Sequence, residues 1–293
     1  MKPAPFDYFA PETVPEALAL LEEYGEDAKI LAGGQSLVPM MNFRLVRPKV
    51  LVDINQIAGL SHISESDGQL RIGAMTRHRD VERSRVVERL NGLLFEGVRY
   101  IGHGAIRARG TVGGSIVHAD PTAELPLMLA VLDGEVRVIG PRGRRAIKWD
   151  EFLLSYFTTS IEPDELCEEV VMPVLPSTAV WGFDEFTHRL GDFAIVGVAA
   201  VIEANAARRC TSARLAVSGA GATPVRIRAA EQFLVGRPLT EQVFAEAAQL
   251  VSRDVAPESD LHASDAFRRD LAGTMAARAL QQAAKRLERQ ESK

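Results

Sequence analysis

The sequence predicts an α+β fold in which short strands and amphipathic helices alternate and a separate α+β unit forms the last third. The 293 residues are enough for one large domain or two to three smaller ones. Short strand and helix patterns fill the first part of the chain. After Trp181 the pattern changes to a long, continuously apolar run. The proline-rich stretch Pro173–Thr178 therefore marks the expected boundary.

The first part contains several elements with clear periodicity. Apolar residues at helical spacing predict a helix over Glu16–Tyr24, which Gly25 ends. Strands are expected at Lys29–Leu31 and in "RPKVLVDIN", "GQLRIGAMT" and "VVMPVLP". The stretch "TRHRDVERSRVVERL" predicts one helix with a solvated Arg/Glu face. The stretch "GEVRVIGPRGRRAIKW" predicts a hairpin that turns at Pro141–Gly143.

The last third begins with an apolar strand and ends in helices. The run "DFAIVGVAAVIEAN" is typical of a buried strand. The stretch "SARLAVSGAGATPVRIRAAEQFLVG" predicts a strand, a loop and a helix, and "TEQVFAEAAQLVSRDV" predicts an amphipathic helix. The end of the sequence, "AARALQQAAKRLERQESK", predicts an amphipathic helix that frays into a charged tail.

Composition excludes several classes of function. The formal net charge of −5 gives no broad basic surface, which argues against nucleic acid as the main partner. The two cysteines, Cys167 and Cys210, are too few for an iron–sulfur or structural zinc site, and a reducing, cytoplasmic compartment is expected. The first 25 residues lack the apolar core of a signal peptide. No apolar stretch approaches the roughly 20 residues of a membrane span.

Two glycine turns carry the strongest functional pattern. In "AGGQSL", Ala32–Leu37, and "TVGGSI", Thr111–Ile116, a Gly-Gly pair is followed within two positions by a serine, Ser36 or Ser115. Backbone without Cβ atoms, with N–H groups and hydroxyls nearby, can hold a phosphate. Two such turns can grip the two phosphates of a dinucleotide. The alternative is that each pair forms only a tight turn between strands.

Other motifs of catalysis are incomplete or missing. "SGAGATP" begins like a dinucleotide fingerprint, but Pro224 stands where the third glycine belongs. The sequence has no G-x-x-x-x-G-K-[ST] loop, no G-x-S-x-G elbow and no complete metal motif around "HAD", His118–Asp120. We therefore expect no catalytic nucleophile and no metal ligands in this chain. Cofactors bring their own reactivity, and a protein of this kind would hold one.

Three stretches together resemble a known family. "LAGGQSLVPMMNFRLVRPKVLVDIN", "IRARGTVGGSIVHADPTAELP" and "RLGDFAIVGVAA" are similar in order and separation to the FAD-binding medium subunit of molybdenum hydroxylases. This is the carbon monoxide dehydrogenase medium-subunit family, related to the flavin domain of xanthine dehydrogenase. The resemblance implies a two-subdomain FAD-binding region of the PCMH or vanillyl-alcohol-oxidase type over 1–176, with subdomains of about 1–55 and 56–176. A C-terminal α+β domain of the carbon monoxide dehydrogenase flavoprotein type would follow over 177–293.

The resemblance also implies which residues hold FAD. The first glycine segment, Ala32–Ser36, and the second glycine segment, Thr111–Ser115, would bind the pyrophosphate. Glu124 would accept a hydrogen bond from a sugar hydroxyl, although it can equally be a charge at the N-terminus of a helix. Ile101 and Ile161 would pack on the adenine and the isoalloxazine, and His118 would touch the cofactor or serve a structural role. The complete set of expected cofactor-binding residues is Lys29, Leu31, Ala32, Gly33, Gly34, Gln35, Ser36, Leu37, Ile101, Thr111, Val112, Gly113, Gly114, Ser115, His118, Glu124 and Ile161.

Two positions depart from the family pattern. Glu185 stands where some relatives carry a lysine near the flavin ring, and a glutamate there would disfavour negative charge on the reduced ring. Phe193 replaces a tyrosine, which removes a hydroxyl. Both departures concern the flavin environment that the resemblance implies, so we expect a changed flavin potential or a changed side-chain orientation.

The resemblance implies an electron-transfer subunit. This chain would carry FAD, receive electrons from the two [2Fe–2S] clusters of a small subunit and pass them to an external acceptor. A large subunit would bind the molybdenum cofactor, in a dimer of heterotrimers. Two alternatives stay open from the residues: a self-sufficient FAD-dependent oxidoreductase, and a non-catalytic binding or assembly protein. The substrate of the complex, its electron acceptor and the docking surface of the iron–sulfur subunit cannot be read from this chain.

Overall fold

The first sheet of the protein is small and parallel. The computed structural model describes residues 2–189 and 191–291. The elements of its first part are β1 (Asp7–Phe9), α1 (Val14–Tyr24), β2 (Ala28–Leu31), α2 (Leu37–Asn42) and β3 (Val50–Asp53). The strands lie in the order β1-β3-β2. Thr13 caps α1 by accepting a hydrogen bond from the Glu16 N–H, and Gly25 ends this helix with a φ of 49°.

The second sheet is antiparallel and five-stranded, in the order β4-β5-β10-β6-β7. Strands β8 and β9 form a separate small hairpin. The elements of this part are β4 (Ile63–Ser66), β5 (Gln69–Gly73), α3 (His78–Arg83), α4 (Arg85–Leu90), α5 (Gly92–Gly97), α6 (Gly104–Arg107), α7 (Val112–His118), α8 (Glu124–Val131), β6 (Glu135–Gly140), β7 (Gly143–Lys148), α9 (Trp149–Phe152), β8 (Leu153–Ser155), β9 (Thr158–Thr159) and β10 (Leu166–Pro173).

The expected single helix in "TRHRDVERSRVVERL" is two helices, so that prediction is wrong. Ser84 separates α3 from α4 with an extended backbone, ψ 116°. Its hydroxyl accepts a hydrogen bond from the Val87 N–H at 3.3 Å, which caps the start of α4. Serine side chains compete in this way with the helical ladder, so a serine inside a helical pattern can begin a new helix.

Helix α8 lies at the centre of the molecule. All of its residues are buried, and it packs against α5, α7, β12 and β13. A helix that is apolar on every side needs neighbours on every side. Through α8, the core of the second sheet continues into one face of the third sheet.

The third sheet follows in the order β11-β12-β13-β14 and is antiparallel. Its elements are β11 (Ala179–Phe186), β12 (Val196–Ala204), β13 (Cys210–Ser218), β14 (Val225–Arg226), α10 (Arg228–Leu234), α11 (Glu241–Asp254) and α12 (Asp265–Glu291). The predicted strands and helices of this part are confirmed, whereas the end of the expected charged tail, residues 292–293, lies outside the described residues. The mixture of helices and strands confirms the α+β fold.

Strand β12 explains the apolar run in the last third. Val198, Ala200 and Ile202 face the core formed with α10–α12. Ala199 and Val201, which point to the opposite face, pack into the core around α8. A strand that is buried on both faces has no polar alternation, which is why this segment reads as a continuous apolar stretch. In the described part of the chain, no helix has the length and apolar character needed to cross a bilayer.

Candidate functional site

The first glycine segment, Ala32–Ser36, links the end of β2 to α2. Its backbone turns sharply, and Gly34 has a φ of 71°, which favours glycine. A Cβ atom on Gly33 would lie 2.5 Å from the Arg109 carbonyl oxygen and 2.8 Å from the Gly110 Cα. Only a glycine allows this close approach, so the segment is held directly against the chain that precedes the second glycine segment.

The N–H groups of the first glycine segment are free. Among the described residues, those of Gly33, Gly34, Gln35 and Ser36 donate no hydrogen bond. The carbonyl oxygens do accept hydrogen bonds. The Gly34 carbonyl accepts from the Val38 N–H at 3.1 Å, and the Gly33 carbonyl accepts from the side-chain amide of Gln35 at 3.0 Å. Four consecutive unpaired donors are suited to an anion, because backbone N–H groups seek an acceptor.

In the second glycine segment, Thr111–Ser115, the N–H groups of Val112–Ser115 are in contrast all hydrogen-bonded within the chain. Val112 and Gly113 donate to the carbonyl oxygens of Thr76 and Ala74, at 3.0 and 2.8 Å. Gly114 donates to the Thr111 hydroxyl at 3.2 Å. The Ser115 N–H donates to the Thr111 carbonyl at 3.1 Å, as in an ordinary first helical turn. This segment therefore starts α7 and offers a ligand its half-buried Ser115 hydroxyl rather than free N–H groups.

The two glycine segments lie side by side. A Cβ atom on Gly114 would stand 3.7 Å from the Ala32 Cβ, within van der Waals distance. Gly33 meets the backbone of Arg109 and Gly110 directly before the second segment. The turns of two different elements are thus brought together, so one ligand can contact both.

A cleft of about 360 Å³ opens at the first glycine segment. It lies where β2 and β3 end, and the carboxyl ends of parallel strands are the usual place for ligands in such sheets. Its lining residues are Leu31, Ala32, Gly33, Gly34, Gln35, Val38, Pro39, Asp53, Asn55 and Arg109. The sequence reasoning missed Asp53, Asn55 and Arg109. Asp53 and Asn55 lie at the end of the strand predicted in "RPKVLVDIN". This position at a strand end was the sequence feature that could have identified them.

A polar network stiffens one side of this cleft. Asp53 accepts hydrogen bonds from the Tyr8 hydroxyl at 2.6 Å and from the Asn55 N–H at 2.9 Å. The Asn55 amide also donates to the Ala32 carbonyl at 2.9 Å, which ties the network to the first glycine segment. Burial opposes ionisation of Asp53, but these hydrogen bonds and the charge of Arg109 hold the pKa of its carboxyl below the usual value.

Glu124 and Glu185 form a buried pair of carboxyl groups. Glu124 begins α8 and is 7% exposed, and burial raises its pKa to about 7, with a smaller contribution from Asp120. Glu185 lies on β11, where burial, then the charges of Glu124 and Asp184, raise its pKa to about 8. In the described residues the Glu185 Oε2 atom has no hydrogen-bond partner. The charge of Glu124 thus makes ionisation of Glu185 less favourable.

Of the expected site residues, only Leu31 and Ala32–Gln35 line the 360 Å³ cleft, and Ser36, Leu37 and the second glycine segment do not. Ile101 is buried in the central core, and Ile161 packs against that core from its edge. His118 lies 5.1 Å from the ring of Phe157, centroid to centroid. Burial lowers the pKa of this histidine, although Asp120 opposes the shift. Lys29 is exposed on β2.

A second surface cleft of about 580 Å³ lies between α1 and the turn after β9. Both of its arginines are paired with carboxylates. Arg145 contacts Glu165 at 2.7 Å, and Arg142 contacts Asp164 at 3.2 Å. Because its positive charges are already paired, this cleft offers an anion less than the cleft at the first glycine segment does.

Comparison with known proteins matches both parts of the chain. Residues 4–175 match the family described as the FAD binding domain in molybdopterin dehydrogenase. Residues 181–283 match the CO dehydrogenase flavoprotein C-terminal domain. The chain belongs to this flavoprotein family. Its resemblance to the medium-subunit family is thereby confirmed.

Relatives of the flavoprotein family align along their full length. The subunit alpha of the 6-hydroxypseudooxynicotine dehydrogenase complex of Paenarthrobacter nicotinovorans is 43% identical, over 97% of this chain and 96% of that protein. The caffeine dehydrogenase subunit beta of a Pseudomonas species, strain CBB1, is 38% identical, over 98% and 97%. A solved structure of carbon monoxide dehydrogenase from Hydrogenophaga pseudoflava, lacking the Mo-pyranopterin moiety, superposes with a TM-score of 0.94. It is 35% identical and covers 98% of this chain and 99% of that one.

The cleft at the first glycine segment fits the diphosphate of FAD. Four unpaired N–H groups, the side chain of Arg109 and two segments without Cβ atoms at the contact supply donors, positive charge and room for close approach. This chain is therefore a flavoprotein subunit of the molybdenum hydroxylase class of dehydrogenases.

Proposed function

We propose that this chain holds FAD and relays electrons between an iron–sulfur subunit and an external acceptor. The small partner would carry two [2Fe–2S] clusters and the large one the molybdenum cofactor, in a cytoplasmic dimer of heterotrimers. FAD, when bound, takes up electrons singly or in pairs. The observation that carries the proposal is the row of unpaired N–H groups at Gly33–Ser36, in a chain whose residues 4–175 and 181–283 match the flavoprotein family.

In this proposal the chain's own residues bind and orient the cofactor. The N–H groups of the first glycine segment donate to the diphosphate, and Ser36 and Ser115 add hydroxyl donors. The glycines at the contact let both segments approach it. Lys29, Leu31 and Leu37 flank the first segment, while Val112 and Gly113 fix the second one against β5 and α3.

The remaining expected residues would contact the two ends of the dinucleotide. Glu124 accepts a sugar hydroxyl, Ile101 and Ile161 supply apolar contacts to the ring systems, and His118 borders the cofactor. None of these groups is expected to act as an acid or base on the organic substrate, which would react on the large subunit. The buried pair Glu124–Glu185 controls the charge that surrounds the bound cofactor.

The experiment that tests this function is a flavin assay followed by a reduction assay. The purified chain should bind one FAD per chain, and the reduced iron–sulfur subunit should reduce that FAD. A chain that takes up no FAD would contradict the proposal and favour a binding or assembly protein. Oxidation of an organic substrate by the single chain would contradict it in favour of a self-sufficient oxidoreductase.

A further inference from the structure

Arg109 occupies a distinctive position between the two glycine segments. Its carbonyl oxygen is the atom that a Cβ on Gly33 would meet at 2.5 Å, and that oxygen also accepts a hydrogen bond from the Arg77 guanidinium. The backbone is therefore held from two sides. The side chain is exposed and lines the 360 Å³ cleft.

The guanidinium of Arg109 forms no hydrogen bond and no close ion pair in residues 2–189 and 191–291, although its charge acts on Asp53. Asp53, the carboxylate that lines the same cleft, is already engaged by Tyr8 and Asn55. The neighbouring Arg77 donates to the Asn55 side-chain oxygen at 2.6 Å. Two guanidinium groups, those of Arg77 and Arg109, thus stand close to each other at this cleft.

The pKa of Arg77 reflects how close the two guanidinium groups are. Burial first, then the positive charge of Arg109, lower the pKa of Arg77, while Asp80 and Asp53 act against the shift. Like charges placed together repel, and an anion bound between them removes that repulsion. The cleft is thus electrostatically prepared for an anion that the chain itself does not supply.

The arrangement matches a diphosphate better than a single phosphate. The four N–H groups from Gly33 to Ser36 and the guanidinium of Arg109 form two separate sets of donors at one cleft. An arginine adds two parallel donors in a planar fork, which suits the oxygens of a phosphate group. Donors from the backbone and from the guanidinium can therefore be divided between two linked phosphates.

We propose that Arg109 binds the FAD diphosphate and that Arg77 is a positioning residue that fixes the Arg109 backbone. This inference rests on the proposed function, because it assumes that FAD is the ligand of the cleft. It adds to the expected binding set a residue, Arg109, that lies just before the second glycine segment. In this arrangement the diphosphate lies between the free N–H groups of the first glycine segment and the Arg109 guanidinium.

The test measures affinities of the full chain, freed of flavin, for FAD and for riboflavin, which lacks both phosphates. Arg109→Met should weaken FAD binding roughly 10- to 30-fold, as expected for a lost charge-assisted contact, and leave riboflavin binding unchanged. Arg109→Lys should lose less FAD affinity, because lysine keeps the positive charge. Some affinity should still be lost, because lysine lacks the planar fork of donors. Arg77→Met should give an intermediate loss for FAD only. The matched control is Arg85→Met, since Arg85 is exposed and forms a surface ion pair with Glu88.

The salt dependence gives a second, independent measurement. The FAD affinity of the wild-type chain should fall as ionic strength rises, and the FAD affinity of Arg109→Met should fall less steeply. If Arg109→Met does not fold, as judged by circular dichroism, then Arg109→Lys and the wild-type salt dependence still decide the question. Equal FAD affinities for the wild type and the Arg109 variants would overturn this inference and leave the proposed function intact. A wild-type chain that binds no FAD would overturn both.

Discussion

The two glycine segments share a sequence pattern and differ in what their backbones do. Both combine a Gly-Gly pair with a nearby serine. In the first segment the N–H groups of Gly33–Ser36 have no acceptor within the described residues. In the second, the N–H groups of Val112–Ser115 are all hydrogen-bonded inside the chain. The first segment has donors that can bind a ligand, and the second segment has a structural role beside it.

The difference arises from the surroundings of each segment. The second segment packs against the Ala74–Thr76 backbone, whose carbonyl oxygens take two of its N–H groups. The first segment lies at the end of a small parallel sheet and borders a cleft, where no carbonyl reaches its N–H groups. A local pattern therefore fixes which conformations are available, while distant residues decide whether its donors stay free.

The largest expected effect concerns the packing of the second segment. Gly113→Ala would place a Cβ atom 2.5 Å from the Ala74 Cβ and 2.8 Å from its Cα. Because backbone must move to relieve this clash, the free energy of unfolding should fall by about 3 kcal/mol. Urea denaturation measures it. The control is Gly104→Ala, whose added Cβ meets no atom within 4 Å. Equal midpoints for the two variants would show that the second segment is not tightly packed.

The next effect separates binding from stability at the first segment. Gly33→Ala would force the segment away from the Arg109 carbonyl, which lies 2.5 Å from the added Cβ. FAD affinity should fall by at least about 10-fold, as for the loss of one or more charge-assisted hydrogen bonds. Fluorescence titration with FAD measures the affinity, and circular dichroism checks the fold. A folded Gly33→Ala variant with wild-type FAD affinity would refute the role of this contact.

The stability of the folded chain should depend on pH because of two carboxyl groups, Glu124 and Glu185. Glu124 and Glu185 have pKa values of about 7 and about 8 in the folded chain, above the ordinary value of 4.5. The folded state therefore holds more protons than the unfolded one between about pH 4.5 and 8, and stability should fall as the pH rises through this window.

Glu185→Gln should reduce that pH-dependent loss of stability by at least about 1 kcal/mol. The reason is that the variant removes one buried carboxylate and the repulsion that it exerts on Glu124. Urea unfolding of the flavin-free chain at pH 5.5 and at pH 8.5 measures the difference. The same pH dependence in wild type and variant would mean that the two carboxyl groups do not share a buried site.

The smallest effects distinguish the hydroxyl groups of the two segments. The Thr111 hydroxyl caps α7, so Thr111→Val should lower the free energy of unfolding by about 1 kcal/mol. Ser36 makes no capping hydrogen bond to α2, so Ser36→Ala should change stability by less than about 0.5 kcal/mol. Thermal unfolding of the flavin-free chains compares them. A larger loss for Ser36→Ala would reverse the roles assigned to the two segments.

Much of the fold was predictable from local patterns. The alternation in β6, the amphipathic face of α11 and the apolar run of β12 each carried a period or a length that selects one structure. Helix α8 carried no such signal, because its residues are buried on every side. The break at Ser84 was missed because the capping bond to Val87 is as local as the helical ladder that it replaces.

The site was predictable only in part. The glycine segments were found because their pattern is local. The free or paired state of their N–H groups was not, since the acceptors at Ala74 and Thr76 lie more than 30 positions from the N–H groups that they pair with. Asp53 and Asn55 join the cleft through the parallel pairing of β2 and β3, which brings them beside Ala32. Such contacts depend on topology rather than on spacing.

Hydrogen exchange of the backbone amides tests the central claim most directly. We predict that the amides of Gly33–Ser36 exchange rapidly in the flavin-free chain and become protected when FAD is added. The amides of Val112–Ser115 should already exchange slowly without FAD and change little. Slow exchange in the first segment without FAD, or new protection confined to the second segment, would contradict the division of roles between the two glycine segments.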